Sequence, residues 1–305
     1  MTGLPPELED VSCNLCGERD GRVLFDRPYQ LGSMSEAGTF AATTDEFLSY
    51  GRVVSCRSCR LAYTDPRPTR EALLRGYGEC VDESYVEQGT ARSINGHLSL
   101  NTLKRFAKEG RLLEVGASTG YFLNAARVDF DVVGLEPSAW AARIARERFK
   151  LDVREAAFEP GKLEAASFDC VAMIDVIEHV VDPLETLREA ARVLKPGGLL
   201  YLVTPDIGSL SARLLGASWW GLRPAHIYYF DRRTMTAMLE KAGFEVALVK
   251  SFGRIFSWGY WASRMRNYPA PVYRSILTLI SGLDIEDKLL YLDTRDSMEV
   301  CARRR

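Results

Sequence analysis

The chain has no long hydrophobic run, no marked excess of either charge and very little histidine. No uninterrupted apolar stretch approaches the roughly 20 residues that a membrane-spanning helix needs. The first ten residues are polar and proline-rich, without the apolar centre of a signal peptide, so a cytoplasmic location is expected. A formal charge of −2 gives no electrostatic argument for a nucleic-acid partner. Three histidines, His97, His179 and His226, keep the search for an imidazole base short. What the chain does have is size: 305 residues suffice for one large domain and a small one around a substantial core.

Seven cysteines cannot all pair internally, and disulfides would be out of place in a reducing compartment. Four of them form two pairs, Cys13-x-x-Cys16 and Cys56-x-x-Cys59, with 39 residues between the pairs. Two such turns let four thiolates converge on one zinc ion, a closed and therefore structural site. The competing use of Cys-x-x-Cys, redox chemistry, takes one pair in a thioredoxin-like setting. Residues 1–68 thus read as a small zinc-ribbon-like module, with strands near 22–25 and 52–55. Asp-Pro-Arg-Pro at 65–68 forms a rigid boundary, since each proline pushes its predecessor out of the helical region. Cys80, Cys170 and Cys301 read as isolated thiols.

Beyond that boundary, residues 111–120 (Arg-Leu-Leu-Glu-Val-Gly-Ala-Ser-Thr-Gly) read as a buried strand running into a glycine-bounded turn and then a helix. Gly116 and Gly120 allow sharp backbone and close approach of a ligand. A second strand, 131–135, delivers Glu136 twenty residues after Gly116, where a carboxylate can accept from both hydroxyls of a ribose. A nucleoside-containing cofactor follows. A dinucleotide fingerprint would also need glycines at 118 and 121, which are serine and tyrosine here, so a nicotinamide enzyme is disfavoured.

Strands and helices then alternate. Ser138 caps a helix, a short strand falls near 151–153, and 167–175 forms a buried strand ending in Asp175-Val-Ile-Glu178-His179. Asp182 and Pro183 open the next helix, which Lys-Pro-Gly-Gly at 195–198 stops before a strand at 199–203. A helix at 232–242 leads into a strand at 244–249. Such alternation predicts an α/β fold with a mainly parallel sheet. The long stretch 253–293 is rich in aromatics and arginine. It can serve as extra core, as a lid or as a contact surface; core packing with some lid character is expected.

The pattern Glu114-x-Gly116-x-x-x-Gly120 resembles motif I of class I S-adenosylmethionine-dependent methyltransferases, (D/E)-x-G-x-G-x-G, with Ser118 replacing the middle glycine. Asp-x-x-Glu-His at 175–179, Lys-Pro-Gly-Gly and His-x-Tyr-Tyr-Phe at 226–230 follow in the order of that family. With the two cysteine pairs, the chain is similar to zinc-containing small-molecule methyltransferases, including sugar C-methyltransferases. The resemblance implies a Rossmann-like sheet of seven strands whose last, near 298–302, runs antiparallel, so that 69–305 forms the methyltransferase domain. It implies S-adenosyl-L-methionine as cofactor and structural Zn2+ at Cys13, Cys16, Cys56 and Cys59. Glu114 would lie near the methionine amino end, Gly116, Ser118 and Gly120 along the cofactor, Glu136 on the ribose and Asp175 on the same wall. Glu155 and Phe158 would approach the adenine.

Methyl transfer to a hydroxyl or a carbon acid benefits from a general base. His179 is either that base or part of the cofactor pocket. His226 is either the base or an imidazole bonded to backbone, with Tyr228 and Tyr229 as phenolic donors and Trp219 and Trp220 as pocket walls. His97 reads as a surface residue. The acceptor is expected to be a sugar or secondary metabolite methylated on carbon or oxygen, and the chain a monomer or homodimer. The rivals are an RNA methyltransferase gripping nucleic acid through the zinc module and a non-catalytic cofactor-binding protein.

Overall fold

A computed structural model describes residues 7–27, 40–43, 50–265 and 270–305, and among these no helix is long and apolar enough to cross a membrane. Seven apolar segments form one sheet: β1 (Gly110–Val115), β2 (Phe130–Glu136), β3 (Val153–Glu155), β4 (Phe168–Ile174), β5 (Leu194–Pro205), β6 (Phe244–Ser251) and β7 (Ser297–Arg304). Their order is β6-β7-β5-β4-β1-β2-β3. The pairs among β1 to β5 are parallel, whereas β7 lies antiparallel between β5 and β6. The mainly parallel sheet is the one expected from the alternation, and its antiparallel last strand completes the Rossmann-like architecture that the resemblance implies.

Local chemistry fixes the helix starts. α1 (Tyr121–Ala126) opens at Gly120, whose φ of +85° suits a residue without Cβ. Ser138, Asp182 and Asp231 cap α2 (Ala139–Phe149), α3 (Pro183–Val193) and α4 (Arg232–Lys241). Two expectations shift. The third strand starts at Val153, because Leu151 packs behind Gly120, where an added Cβ would lie 2.8 Å from Leu151 Cδ1. Lys-Pro-Gly-Gly does not lie between helix and strand; it is a bulge within β5, where the register with β4 slips between Leu194 and Leu199.

The cysteine-bearing segment is sewn into this frame. Strands Gly21–Arg27, Gly51–Cys56 and Ala62–Thr64 form an antiparallel sheet completed by Tyr228–Tyr229 from far downstream. Cys13, Leu15, Val54, Leu61 and Tyr63 share one hydrophobic cluster with Ile177, Ile227 and Tyr228. Buried Arg67 donates from Nη1 to the Tyr228 hydroxyl (2.8 Å) and the Val181 carbonyl (2.6 Å), and from Nε to Glu9 (3.0 Å). Asn14, inside the first Cys-x-x-Cys turn, donates to Asp182 Oδ1 (2.9 Å) and accepts from the Leu184 N–H (2.9 Å). It therefore shares the capping of α3 with Asp182.

The stretch 253–293 divides into two parts. In the hairpin of Arg254–Ser257 with Leu289–Leu292 and the helix Trp258–Ser263, Phe256 and Ala262 are buried while Leu289 and Tyr291 are exposed. The helix Ala270–Gly282 has only Ile280 buried, with Val272, Leu277 and Leu279 exposed. Core packing therefore extends to Phe256 and Ala262 of the first part and to Ile280 of the second.

Removing the Asn14 amide strands part of the α3 cap. Asn14→Ala is expected to cost about 1–3 kcal/mol, seen as a lower denaturation midpoint; an unchanged midpoint would assign the capping to Asp182 alone.

Candidate active site

β1 neighbours both β2 and β4, so the winding of the sheet reverses there, and the crevice beyond the carboxyl ends of such strands is where open α/β sheets take ligands. A cavity of about 650 Å³ opens at this point. Its walls come from the loop after β1, the end of β2, the segment after β4, the approach to Tyr228–Tyr229 and the inner part of 253–265.

The turn after β1 is built from positive φ angles: Gly116 (+70°), Ser118 (+46°) and Gly120 (+85°). A Cβ on Gly116 would meet Val176 at 2.6 Å, and one on Gly120 would meet Ala145 at 3.0 Å, so both positions require glycine. Ser118 occupies the left-handed region at some cost, and its N–H is used: it donates to Glu136 Oε2 at 2.8 Å. The Ser138 N–H donates to Oε1 at 2.8 Å. Each carboxylate oxygen of Glu136 thus accepts one backbone bond and keeps a further lone pair. Burial raises the Glu136 pKa, and these two bonds oppose the shift.

Glu114 is 3% exposed, lines the cavity, and its Oε2 has no hydrogen-bond partner among the described residues. Burial, then repulsion from Glu136, lifts it well above the ordinary carboxylate range. Arriving positive charge would relieve that cost. Asp175, at φ +55°, pairs with Arg254 at 2.7 Å. Arg92, which the sequence reading passed over, lies with its guanidinium 3.9 Å from the Tyr85 ring centre and its buried Nε unpartnered among the described residues. Its place on the helix Gly89–Leu103, upstream of β1, carries no local motif.

The segment after β4 meets the approach to Tyr228–Tyr229 through the Glu178 carbonyl, which accepts from the N–H groups of Ile227 (3.0 Å) and Tyr228 (3.1 Å). His179 and His226 are thereby brought together, ring centres 4.6 Å apart. His226 Nδ1 faces the Gly221 carbonyl at 2.7 Å, and His179 Nδ1 faces the Ala225 carbonyl at 2.9 Å and the Tyr77 hydroxyl at 2.5 Å. A carbonyl only accepts, so each Nδ1 carries the proton and each Nε2 keeps its lone pair. Burial lowers the His179 pKa to about 4 and that of His226 well below its ordinary value, so both rings are neutral. Glu178, 1% exposed, accepts from Thr204 Oγ1 at 3.0 Å, and burial with Asp175 nearby raises it to about 8.

Not every predicted residue reaches the cavity. Tyr229 is buried among Tyr50, Val53 and Trp219, and its hydroxyl donates to the His226 carbonyl at 2.8 Å. Trp220 is on the wall, whereas Trp219 packs beneath Gly221. Phe158 lines the cavity and Glu155 is exposed at the end of β3. His97 is exposed, and Tyr77, which no sequence motif singles out, holds His179.

Away from the cavity, donor atoms of Cys13, Cys16, Cys56 and Cys59 lie within 4.8 Å of one another, with Cys13–Cys59 and Cys16–Cys56 sulfurs 3.4 Å apart. Tetrahedral Zn–S bonds of about 2.3 Å separate sulfurs by roughly 3.8 Å, so the donor set fits zinc. Both turns repeat one backbone pattern: Cys13 N–H to Glu18 and Gly17 N–H to Cys13, then Cys56 N–H to Leu61 and Arg60 N–H to Cys56.

Residues 89–249 match the family described as "Methyltransferase domain". A probable S-adenosylmethionine-dependent methyltransferase of Mycolicibacterium smegmatis is 33% identical over 137 residues, or 44% of this chain and 52% of that protein. A ubiquinone biosynthesis O-methyltransferase of Cereibacter sphaeroides is 28% identical over 165 residues, or 50% of this chain and 66% of that protein. The chain therefore spans about half to two thirds of the length of these curated relatives. Among solved structures, a Thermotoga maritima protein described as an SAM-dependent methyltransferase and possible histamine N-methyltransferase shares the fold. It has TM-score 0.50 and 24% identity, covering 73% of this chain and 95% of that one.

Proposed function

The chain belongs to the methyltransferase-domain family, and from that premise we propose that it transfers a methyl group from S-adenosylmethionine to a small-molecule acceptor. The observation that carries the cofactor half is Glu136, held by the Ser118 and Ser138 N–H groups with lone pairs to spare for two ribose hydroxyls. Gly116, Ser118 and Gly120 give the cofactor a close backbone approach. Glu114 would meet the methionine ammonium through its unpartnered oxygen, and Arg92 the carboxylate. Asp175, paired with Arg254, closes that wall. When bound, S-adenosylmethionine supplies an electrophilic methyl group with a neutral thioether as leaving group.

In the acceptor half, the residues of this chain position the nucleophile and manage its proton. We assign His226 as the base, its Nε2 freed by the Nδ1 bond to Gly221, with His179 beside it and Tyr229 steadying its backbone. Bases so weakened by burial act well only on an acidic proton. The acceptor class that fits is therefore a phenol, an enol or a carbon acid, in a sugar or secondary metabolite. The similarity to ubiquinone biosynthesis O-methyltransferases supports a small-molecule acceptor. Residues 1–68 would form the metal-bearing module, with structural zinc on Cys13, Cys16, Cys56 and Cys59, and 69–305 the catalytic domain.

Glu136→Ala removes two charge-assisted bonds to the cofactor. Calorimetry should show S-adenosylhomocysteine binding weakened by about 30-fold or more; unchanged affinity would move the ribose elsewhere. His226→Gln should cut turnover by about 10²-fold with cofactor affinity retained, and wild-type turnover would exclude it as base. For the thiolate site, elemental analysis should find zinc that Cys13→Ser and Cys56→Ser remove together with a cooperative thermal transition. A metal-free chain that melts like the loaded one would rule out the structural role.

A further inference from the structure

One feature of the cavity exceeds what a general base needs. Two neutral imidazoles and a carboxylate, Glu178, His179 and His226, bring donor atoms within 4.8 Å of one another. The remaining oxygen of Glu178, Oε1, is buried, has no hydrogen-bond partner among the described residues, and lies 3.9 Å from His179 Nε2. That distance is too long for a hydrogen bond. A buried carboxylate oxygen left this way is costly unless a proton or a metal cation satisfies it.

The supporting shell has the form that metal-bound ligands take. Each histidine donates its other ring nitrogen to a backbone carbonyl, which fixes the ring and leaves Nε2 as the donor. Glu178 is steadied through its second oxygen by Thr204 and through its backbone carbonyl by Ile227 and Tyr228. Metal–ligand bonds near 2.1 Å put neighbouring donors roughly 3.0–3.4 Å apart, against 3.9 Å between Glu178 Oε1 and His179 Nε2, so binding draws the donors inward. All three residues line the cavity, with Asp175 and Arg254 close enough to Glu178 to act on its charge.

We propose that Glu178, His179 and His226 form a binding site for a divalent transition-metal cation in the acceptor half of the cavity. Two imidazoles and one carboxylate leave coordination positions open for a ligand oxygen. The site rests on the methyltransferase reading and narrows the acceptor to a compound with an ionisable oxygen, an enol, a phenol or a hydroxyl beside a carbonyl. That oxygen binds the cation and its O–H bond breaks with the proton passing to water. The electron pair of the oxygen, or of the carbon conjugated to it, then bonds the methyl carbon as the carbon–sulfur bond breaks with its pair on sulfur. Cation and proton compete for the same Nε2 lone pairs. The base role above therefore describes the ion-free enzyme, and coordination replaces it in the loaded one.

The test uses the full chain with its four-thiolate site filled by zinc and titrates Mn(II), which favours oxygen and nitrogen donors over thiolate, by electron paramagnetic resonance. One bound Mn(II) per chain is expected, weakened at least about tenfold in Glu178→Gln and His179→Gln, with S-adenosylhomocysteine affinity kept. Thr204→Val, which removes only the bond to Oε2, should weaken it by a smaller factor and so guards against misfolding of the ligand variants. No Mn(II), Co(II) or Ni(II) bound beyond the thiolate site, or equal affinity in wild type and Glu178→Gln, overturns the proposal while leaving methyl transfer standing. A wild-type chain that binds Mn(II) but no S-adenosylhomocysteine overturns the cofactor reading instead.

Discussion

The backbone carbonyl of Glu178, accepting from two successive N–H groups at Ile227 and Tyr228, is the junction on which the site depends. Buried polar backbone must be paired, and here the pairing joins segments nearly fifty residues apart in the chain. On one side is the segment after β4 with Glu178 and His179; on the other is His226, followed by the two residues that complete the N-terminal sheet. Through this junction the core sheet, the cysteine-bearing sheet and the cavity share one anchor. Arg67 reinforces it by bonding both Tyr228 and Val181.

Charge is distributed unevenly around the cavity. The carboxylates Glu114, Glu136 and Glu178 are all raised, burial being the largest cause in each. Cationic groups share the cavity with them: burial, then Arg264, lower Arg223 to about 10, and Arg264, Arg92 and Arg223 lower the Tyr260 hydroxyl against its own burial. A zwitterionic cofactor with a sulfonium is suited to a cavity that offers both signs of charge.

Much of the fold was legible because its signals are local. Apolar runs marked the strands, Ser138 and Asp182 marked helix starts, and Gly116, Gly120 and Glu136 fell at spacings set by the loop they build. Features created by distant pairing were not. Nothing around Tyr229 shows that it continues a sheet begun at residue 21, so its hydroxyl read as a donor to ligand although it is spent on the His226 carbonyl. Tyr77 and Asn14 act on groups 102 and 168 residues away, and Arg92 lies over the ring of Phe256 from a distant element, beyond the reach of any periodicity. Pro-Gly-Gly at 196–198 misled for a different reason: glycines that can end a helix can equally form a bulge, and strand pairing decided which.

Asn14 sits between two sulfurs of one turn and spans Asp182 and Leu184, three and five residues beyond His179. Of the four thiols in that cluster, Cys16 is the exposed one. Peroxide or an alkylating reagent arriving from solvent therefore meets the chain first at a position one turn of backbone from the α3 cap. Modification of Cys16 would thus fall two residues from Asn14, whose amide bonds both the Asp182 side chain and the Leu184 N–H at the start of α3.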